Sequence, residues 1–398
     1  MSETERLINI KPSDIQLEYS DFGYYSFVHY GMNTFTGVEW GSGKEEPSMF
    51  NPEIVDTDQW VRVLKDSGSK AVIFTAKHHD GFCLFQTKYT EHSIKNSPYR
   101  DGKGDIVQQL AESCKKYDMK MGIYLSPWDR HDSRYGFDEY NDYFCNQLVE
   151  LCTNYGDIWM FWFDGAKGDD APAFTYDFER YYSTIRKYQP KCIIANCGPD
   201  VRWIGNEAGK ERVSEWSVVP VDPPRTESDL GSREYLADKK DLCWYPAEAD
   251  VSIHHGWFYH KSNKSRTAKQ LADIYFKTVG GNASLLMNVP PSKAGIIEPR
   301  DVKTLEKFKE LIDKPFKTPV EKNSENLVKT VVIREDLRFS QRVEKFKIYA
   351  DKKCVYSGTT IGSKKIAFLK KAVPANQIEL RILECREEAH IRDIEYFA

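Results

Sequence analysis

A (β/α)8-like barrel of the TIM type, followed by a C-terminal β-sandwich, is the α/β fold that this sequence predicts. Short apolar runs alternate with amphipathic helical stretches from about residue 24 to residue 312, the rhythm of a parallel sheet wrapped in helices. Several of those runs end in polar residues, as barrel strands do where they open onto one mouth. Beyond residue 322 the pattern changes to short strands separated by turns, as in a small sandwich. The 398 residues leave room for a barrel of about 250 residues or more and a second module.

The elements follow in order. Ser26–His29 is the first candidate strand. Thr57–Asp66 is a helix with Val61 and Leu64 on one side, and Ala71–Thr75 is the second strand. Asp105–Tyr117 reads as a helix with Asp105 as N-cap and Ile106, Leu110 and Cys114 at helical spacing. Met119–Leu125 is the third strand, Phe137–Tyr155 a long helix and Ile158–Phe163 the fourth strand. Phe178–Tyr188 is a further helix and Cys192–Ala195 the fifth strand. Residues 197–262 then read as irregular, rich in Trp, Pro, Gly and charge, a length that compact domains keep for functional surfaces. Regularity returns with a helix at Ala268–Val279, a strand at Ser284–Asn288 and a helix at Asp301–Ile312. The predicted division is a barrel over 1–312, a polar linker with two prolines over 313–322, and a sandwich over 323–398. Its strands are Val328–Ile333, Phe346–Ala350, Ile366–Phe368 and Ile378–Ile382.

Composition narrows the function. The net charge of −4 offers no electrostatic case for nucleic acid or an anionic membrane, and no run approaches the ~20 apolar residues of a bilayer span. Nine cysteines without ligand spacing read as reduced thiols. The polar N-terminus, Met1 to Arg6, has no apolar stretch behind it, so the expected location is cytoplasmic, or secreted if a leader has been removed. Aromatics at 13% suit a pocket that stacks on ring-shaped ligands.

Candidate chemistry gathers at the strand ends. Asp164 follows the apolar run Ile158–Phe163 and precedes Gly165, where a carboxylate is a nucleophile or base at the mouth, or else a turn residue. His78 and His79 follow strand two within Thr75–Phe82. Adjacent histidines chelate poorly compared with an i, i+4 pair, so hydrogen bonds to hydroxyls are favoured over a metal site with Asp80, or a structural brace. Tyr124 ends strand three, His29 ends strand one, and Glu39 and Trp40 stand close behind. A second carboxyl group has three candidates, Glu207, Glu215 and Glu248, which the residues alone do not rank. Two carboxyl groups and aromatic walls suit glycoside hydrolysis, in which one group is protonated and the other ionised. Phosphate-loop, GxSxG and HExxH motifs are absent.

His29-Tyr30-Gly31, Glu39-Trp40-Gly41, Thr75–Phe82, Tyr124–Arg130, Trp162-Phe163-Asp164-Gly165, Arg202–Gly209 and Glu215–Pro220 together resemble glycoside hydrolase family 29, the retaining α-L-fucosidases. The match extends to Glu335–Val343 and Thr359–Gly362, similar to that family's C-terminal sandwich. The resemblance implies that Asp164 is the nucleophile and Glu207 the acid/base. It implies a fucose pocket of His29, Glu39, Trp40, His78, His79, Tyr124 and Trp162. Trp257 is expected on the C5 methyl group, with Arg202 and Trp203 contributed by the loop of the acid. The Arg202–Glu207 motif and the stretch around Asp241–Tyr259 look like the branch specific for α-1,3/1,4-linked fucose in Lewis-type glycans. On that reading the 210–260 segment, with Glu215, Trp216, Trp244 and Glu248, is the aglycone surface. The resemblance implies no cofactor and no metal, and a fucosylated oligosaccharide as the partner. Rival expectations are a fucose-binding protein without catalysis and a glycosidase for another sugar; oligomeric state stays open.

Overall fold

Eight parallel strands form the central sheet of the protein, a computed structural model that describes residues 2–223 and 230–398. The first six are Tyr24–Val28 (β1), Ala71–Lys77 (β2), Lys120–Leu125 (β3), Met160–Phe163 (β4), Ile193–Asn196 (β5) and Arg202–Trp203 (β6). A two-stranded antiparallel ribbon of Val218–Pro220 (β7) and Leu242–Trp244 (β8) follows. Ala247–Ser252 (β9) and Ala283–Asn288 (β10) complete the sheet. Its order is β5-β4-β3-β2-β1-β10-β9-β6, and a parallel bridge between Ala195 and Val201 joins its two edges into a barrel.

Side-chain alternation along the strands divides the core in two. Tyr25, Phe27, Ile73, Tyr124, Met160, Trp162, Ala195 and Leu286 form one buried cluster, within the barrel. Val28, Val72, Phe74, Ile123, Phe161 and Leu285, from the same strands, pack with the helices in a second. Those helices begin where the sequence provides caps. Asp56, Asp105 and Asp177 each accept the backbone N–H three residues on, and Thr267 with Gln270 forms a capping box. Two further capping boxes, Ser2 with Glu5 and Ser13 with Gln16, start short helices at Glu3–Ile8 and Asp14–Ser20. No helix among the described residues is long and apolar enough to cross a membrane.

The segment read as irregular, 197–262, holds two barrel strands, β6 and β9, and the β7–β8 ribbon. Residues 224–229 of it lie outside the described residues. β6 is two residues long, too short for a periodic signal. β9 has the sequence Ala-Glu-Ala-Asp-Val-Ser, whose carboxylates mimic a loop, yet all six residues are buried. Glu248 and Asp250 share one face of the strand, and that face looks into the barrel, where each carboxyl group finds an indole donor.

The C-terminal part has six strands: Leu327–Glu335 (β11), Val343–Ala350 (β12), Lys353–Gly358 (β13), Lys365–Pro374 (β14), Ile378–Cys385 (β15) and Ile391–Phe397 (β16). They form two three-stranded sheets, β14-β11-β16 and β13-β12-β15, around a core that includes Val331, Ile333, Phe346, Ile348 and Ala367. β13 and β16 were not anticipated: the apolar core of β13 is only Cys-Val-Tyr, and charge interrupts the alternation of β16. The 313–322 stretch is docked rather than free. The Val320 N–H donates to the Tyr396 carbonyl at 2.8 Å, and the Ala398 N–H to the Thr318 carbonyl at 2.9 Å.

Candidate active site

The C-terminal ends of the barrel strands surround an open cavity of about 660 Å³. Its walls include His29 after β1, His78 and His79 after β2, Tyr124 on β3, Trp162 and Asp164 from β4, Trp203 on β6, and Asp250 on β9. Trp40, Glu207 and Trp257 come from loops.

Asp164 is held at two points. The Tyr124 hydroxyl donates to its Oδ2 at 2.8 Å, and the Ala166 N–H to its Oδ1 at 2.8 Å. Tyr124 stacks on Trp162 with ring centres 5.5 Å apart and planes 16° from parallel. Trp162 is fixed from below, where its indole N–H donates to Glu248 at 2.7 Å. Glu248 is fully buried, also accepts from the Tyr25 hydroxyl, and is pushed up to about 7 by burial against those two hydrogen bonds.

The three histidines are neutral at pH 7, and their neighbours set which nitrogen carries the proton. His29 Nδ1 lies 2.9 Å from Asn288 Oδ1. The Asn288 amide nitrogen is committed to the Trp257 carbonyl at 2.7 Å, so Oδ1 accepts, Nδ1 carries hydrogen and Nε2 keeps a lone pair. His79 Nδ1 lies 2.7 Å from Ser126 Oγ, whose own hydrogen goes to the Trp128 carbonyl at 2.6 Å. The same reasoning leaves His79 Nε2 unprotonated, 3.7 Å from Asp164 Oδ2. At His78 the order reverses. The Asn33 amide N–H groups point to the Glu39 carbonyl at 3.0 Å and to His78 Nδ1 at 3.4 Å, which places the His78 proton on Nε2. Burial lowers His29 and His79 to about 4 and His78 well below its ordinary value.

Glu207 lines the same cavity. Desolvation raises its pKa first, and the charges of Asp164 and Glu39 raise it further, against a hydrogen bond from the Trp257 side chain. Trp257 also lies 5.2 Å from the His29 ring, and its backbone N–H donates to Glu39 at 2.7 Å. Glu39 therefore braces the Trp257 loop from outside the cavity lining. Gly256 has φ 126°, and a Cβ there would stand 2.5 Å from a Glu39 oxygen, so this approach requires glycine. Trp40, at 49% exposure, forms a rim edge-on to His79 and Trp128.

Of the three glutamates left open by the sequence, Glu207 alone shares the cavity with Asp164. Glu215 is buried in ion pairs with Arg202 at 2.7 Å and Arg212 at 3.2 Å. Trp216 and Trp244 are 4% exposed, and Glu248 lies in the barrel interior. These four are therefore not an exposed surface, which corrects the aglycone assignment made for them. Arg202 lies behind the site because it neighbours Trp203 on β6, and adjacent strand residues point to opposite faces. Phe27, Asn196 and Asp250 line the cavity unanticipated. Asp250 accepts the Trp203 indole N–H at 2.8 Å, and burial raises it well above its ordinary value. Its signal was the alternation of Glu248 and Asp250 between small residues. Ligand atoms of His78, His79 and Asp164 lie within 4.8 Å of one another, whereas Asp80 turns back to accept the Phe82 N–H at 2.8 Å.

A carboxylate held between a tyrosine and a peptide N–H, faced by a partly desolvated glutamate over aromatic walls, is the equipment of a barrel glycoside hydrolase. The sequence profile described as Alpha-L-fucosidase matches residues 13–314. Alpha-L-fucosidase 1 of Arabidopsis thaliana is 38% identical over 95% of this chain and 85% of its own. A candidate alpha-L-fucosidase of Bacteroides ovatus, solved as a crystal structure, superposes with a TM-score of 0.96 at 40% identity, covering 100% of this chain and 76% of that one. A family 29 fucosidase of Ruminococcus gnavus, solved in complex with fucose, superposes at 0.89 with 28% identity, over 98% of this chain and 95% of that one. The chain belongs to the α-L-fucosidase family, glycoside hydrolase family 29, and its activity is the hydrolysis of α-L-fucosides.

Proposed function

We propose that the protein is a retaining α-L-fucosidase that removes α-1,3- or α-1,4-linked L-fucose from Lewis-type oligosaccharides. The observation that carries the mechanism is the shared cavity of Asp164 and Glu207. Asp164 attacks the anomeric carbon as Glu207 gives its proton to the departing glycosidic oxygen, leaving a fucosyl ester and a free aglycone. Water then attacks the same carbon, Glu207 takes up its proton, and the ester bond to Asp164 breaks to release fucose. The raised pKa of Glu207 supports its acid role, and the Tyr124 hydroxyl keeps Asp164 aligned. The pocket assignment rests on His29, His78, His79 and Trp162 as hydroxyl and face contacts, with Trp257 on the methyl group.

The linkage preference rests on the resemblance of Arg202–Glu207 to the 1,3/1,4-specific branch. Proton NMR of a digest tests the mechanism, because α-fucose appears first if configuration is retained and β-fucose if it is inverted. Lewis-a or Lewis-x trisaccharide incubated beside a 2′-linked fucoside tests the preference, and equal rates on both would remove it. The closeness of His78, His79 and Asp164 favours one second reading, a metal-assisted hydrolase. Loss of activity on EDTA treatment with recovery on adding Zn²⁺ would select it.

A further inference from the structure

Glu207 sits on a loop whose two ends converge on one residue. The Arg212 N–H and guanidinium donate to Glu215 Oε1 at 3.0 and 3.2 Å, and Arg202 Nη2 donates to Glu215 Oε2 at 2.7 Å. Arg212 also reaches back to the Ile204 carbonyl at 3.2 Å, closing 204–212 on itself. Within it, Asn206 Oδ1 accepts the N–H groups of Ala208 and Lys210, each at 3.1 Å. The loop is therefore stiff inside and is positioned chiefly by where Glu215 stands.

Glu215 and its neighbours are gripped from the C-terminal sandwich. Gln341, fully buried, accepts the Ser217 N–H at 2.8 Å and donates to the Glu215 carbonyl at 3.2 Å. That carbonyl takes a second donor, Asn282 of the barrel, at 2.8 Å, and Asn282 in turn accepts the Ser363 N–H at 2.7 Å. Ser214 donates to Thr359 at 2.7 Å, and the Arg386 guanidinium lies 4.0 Å above the Trp216 ring. Gln341 is itself presented by a fixed turn. The buried carboxylate of Glu335 accepts the N–H groups of Arg342, Val343 and Gly362 at 2.8, 2.9 and 2.6 Å.

We infer that the C-terminal sandwich positions the acid/base loop of this fucosidase, and that Gln341 is the positioning residue through which it does so. The inference rests on the reading of Glu207 as the acid/base. A buried amide bonded to the Glu215 carbonyl and the Ser217 N–H fixes Glu215, and Glu215 fixes the arginines that anchor the loop. Proton transfer to the leaving group is the step most sensitive to displacement of Glu207. The nucleophile on β4 is held independently and does not sense it.

The experiment compares kcat/KM on a Lewis-type trisaccharide, whose leaving group requires a proton, with that on 2-chloro-4-nitrophenyl α-L-fucoside, whose leaving group does not. Gln341→Ala should lower the first roughly tenfold more than the second, in kcat rather than KM. Phe368→Ala, which loosens the sandwich against Phe276 elsewhere, should affect both substrates alike. Should Gln341→Ala fail to fold, Thr359→Val removes the Ser214 contact and is judged by the same ratio. An equal fall on both substrates, or no fall, overturns the inference. Glu207→Gln run in parallel separates the two ideas. If it discriminates between the substrates and Gln341→Ala does not, positioning fails alone; if it does not discriminate, the acid/base assignment fails.

Discussion

The half of the mouth built on β1 to β4 and the half built on β6 and β9 hold their groups by different means. On the first, His29, His78, His79, Tyr124, Trp162 and Asp164 stand at or next to strand ends, and each is clamped by a neighbour on the sheet or directly above it. On the second, Glu207 rides on a loop tied to Glu215, and Glu215 is secured from another module. The nucleophile must meet one carbon along one line, which a sheet provides. In the proposed mechanism Glu207 serves two steps with opposite proton transfers, and its loop also borders the leaving group. Under the proposed roles, bond-forming precision resides in the barrel, while leaving-group chemistry resides in a part that can be retuned from outside it.

Removing the group on the rigid side should have the largest effect. Asp164→Asn should lower kcat by on the order of a thousandfold or more, to a similar degree on aryl and oligosaccharide substrates, with an unchanged circular dichroism spectrum. Near-normal turnover of an aryl fucoside would break the comparison at its root. Next comes the loop side. Glu207→Gln should lower kcat/KM about a hundredfold or more on the trisaccharide but little on an activated aryl fucoside, whose kcat should fall because hydrolysis of the fucosyl ester loses its base; azide, which needs no base, should restore that kcat while yielding fucosyl azide. The wild-type basic limb of kcat/KM should lie above the ordinary glutamate range, because Glu207 is raised by desolvation and by Asp164, and the variant should lack that limb.

A smaller effect is expected beneath the rigid half. Glu248→Gln replaces one of two buried acceptor oxygens under Trp162 and Tyr25 with an amide donor and should lower stability by about 1–3 kcal/mol in urea titrations. It should slow both substrate classes equally, since it acts through Trp162 on the nucleophile side. The smallest is a pH effect. His29 titrates near 4 folded and 6.5 unfolded, so between those values only the unfolded chain takes up its proton. Its contribution is complete above pH 6.5 and is lost as pH falls toward 4. The stability advantage of wild type over His29→Gln should therefore shrink with falling pH, by at most ~1.4 kcal/mol per unit. The difference between the two proteins is the proper readout, because the buried Asp80 and Glu248, both raised to about 7, slope the total the other way.

The rigid half was also the legible half. Ala71–Lys77, Lys120–Leu125 and Met160–Phe163 are apolar runs closed by functional residues, so strand and site could be read together. β6 escaped because two residues give no period, and β9 because its interior face carries Glu248 and Asp250, which a sequence pattern takes for loop and which only tertiary partners, Trp162, Tyr25 and Trp203, make tolerable in a core. Glu215, Trp216 and Trp244 suggested a surface because charge and tryptophan near a site do so by type. Their burial depends on the sandwich and on two arginines distant in the chain or across a turn, which local composition does not report.

The proton placement on the three pocket imidazoles has a consequence for mimicry. His29 and His79 each turn a lone pair inward, so whatever meets them must surrender a hydrogen; an ether or a C–F bond there finds two acceptors face to face. His78 turns an N–H inward and asks only for an electron pair, which fluorine or a methoxy oxygen retains. Deoxyfluoro analogues of the sugar would thus be sorted by which imidazole they meet, and a tight inhibitor is one that offers two donors and one acceptor in that order.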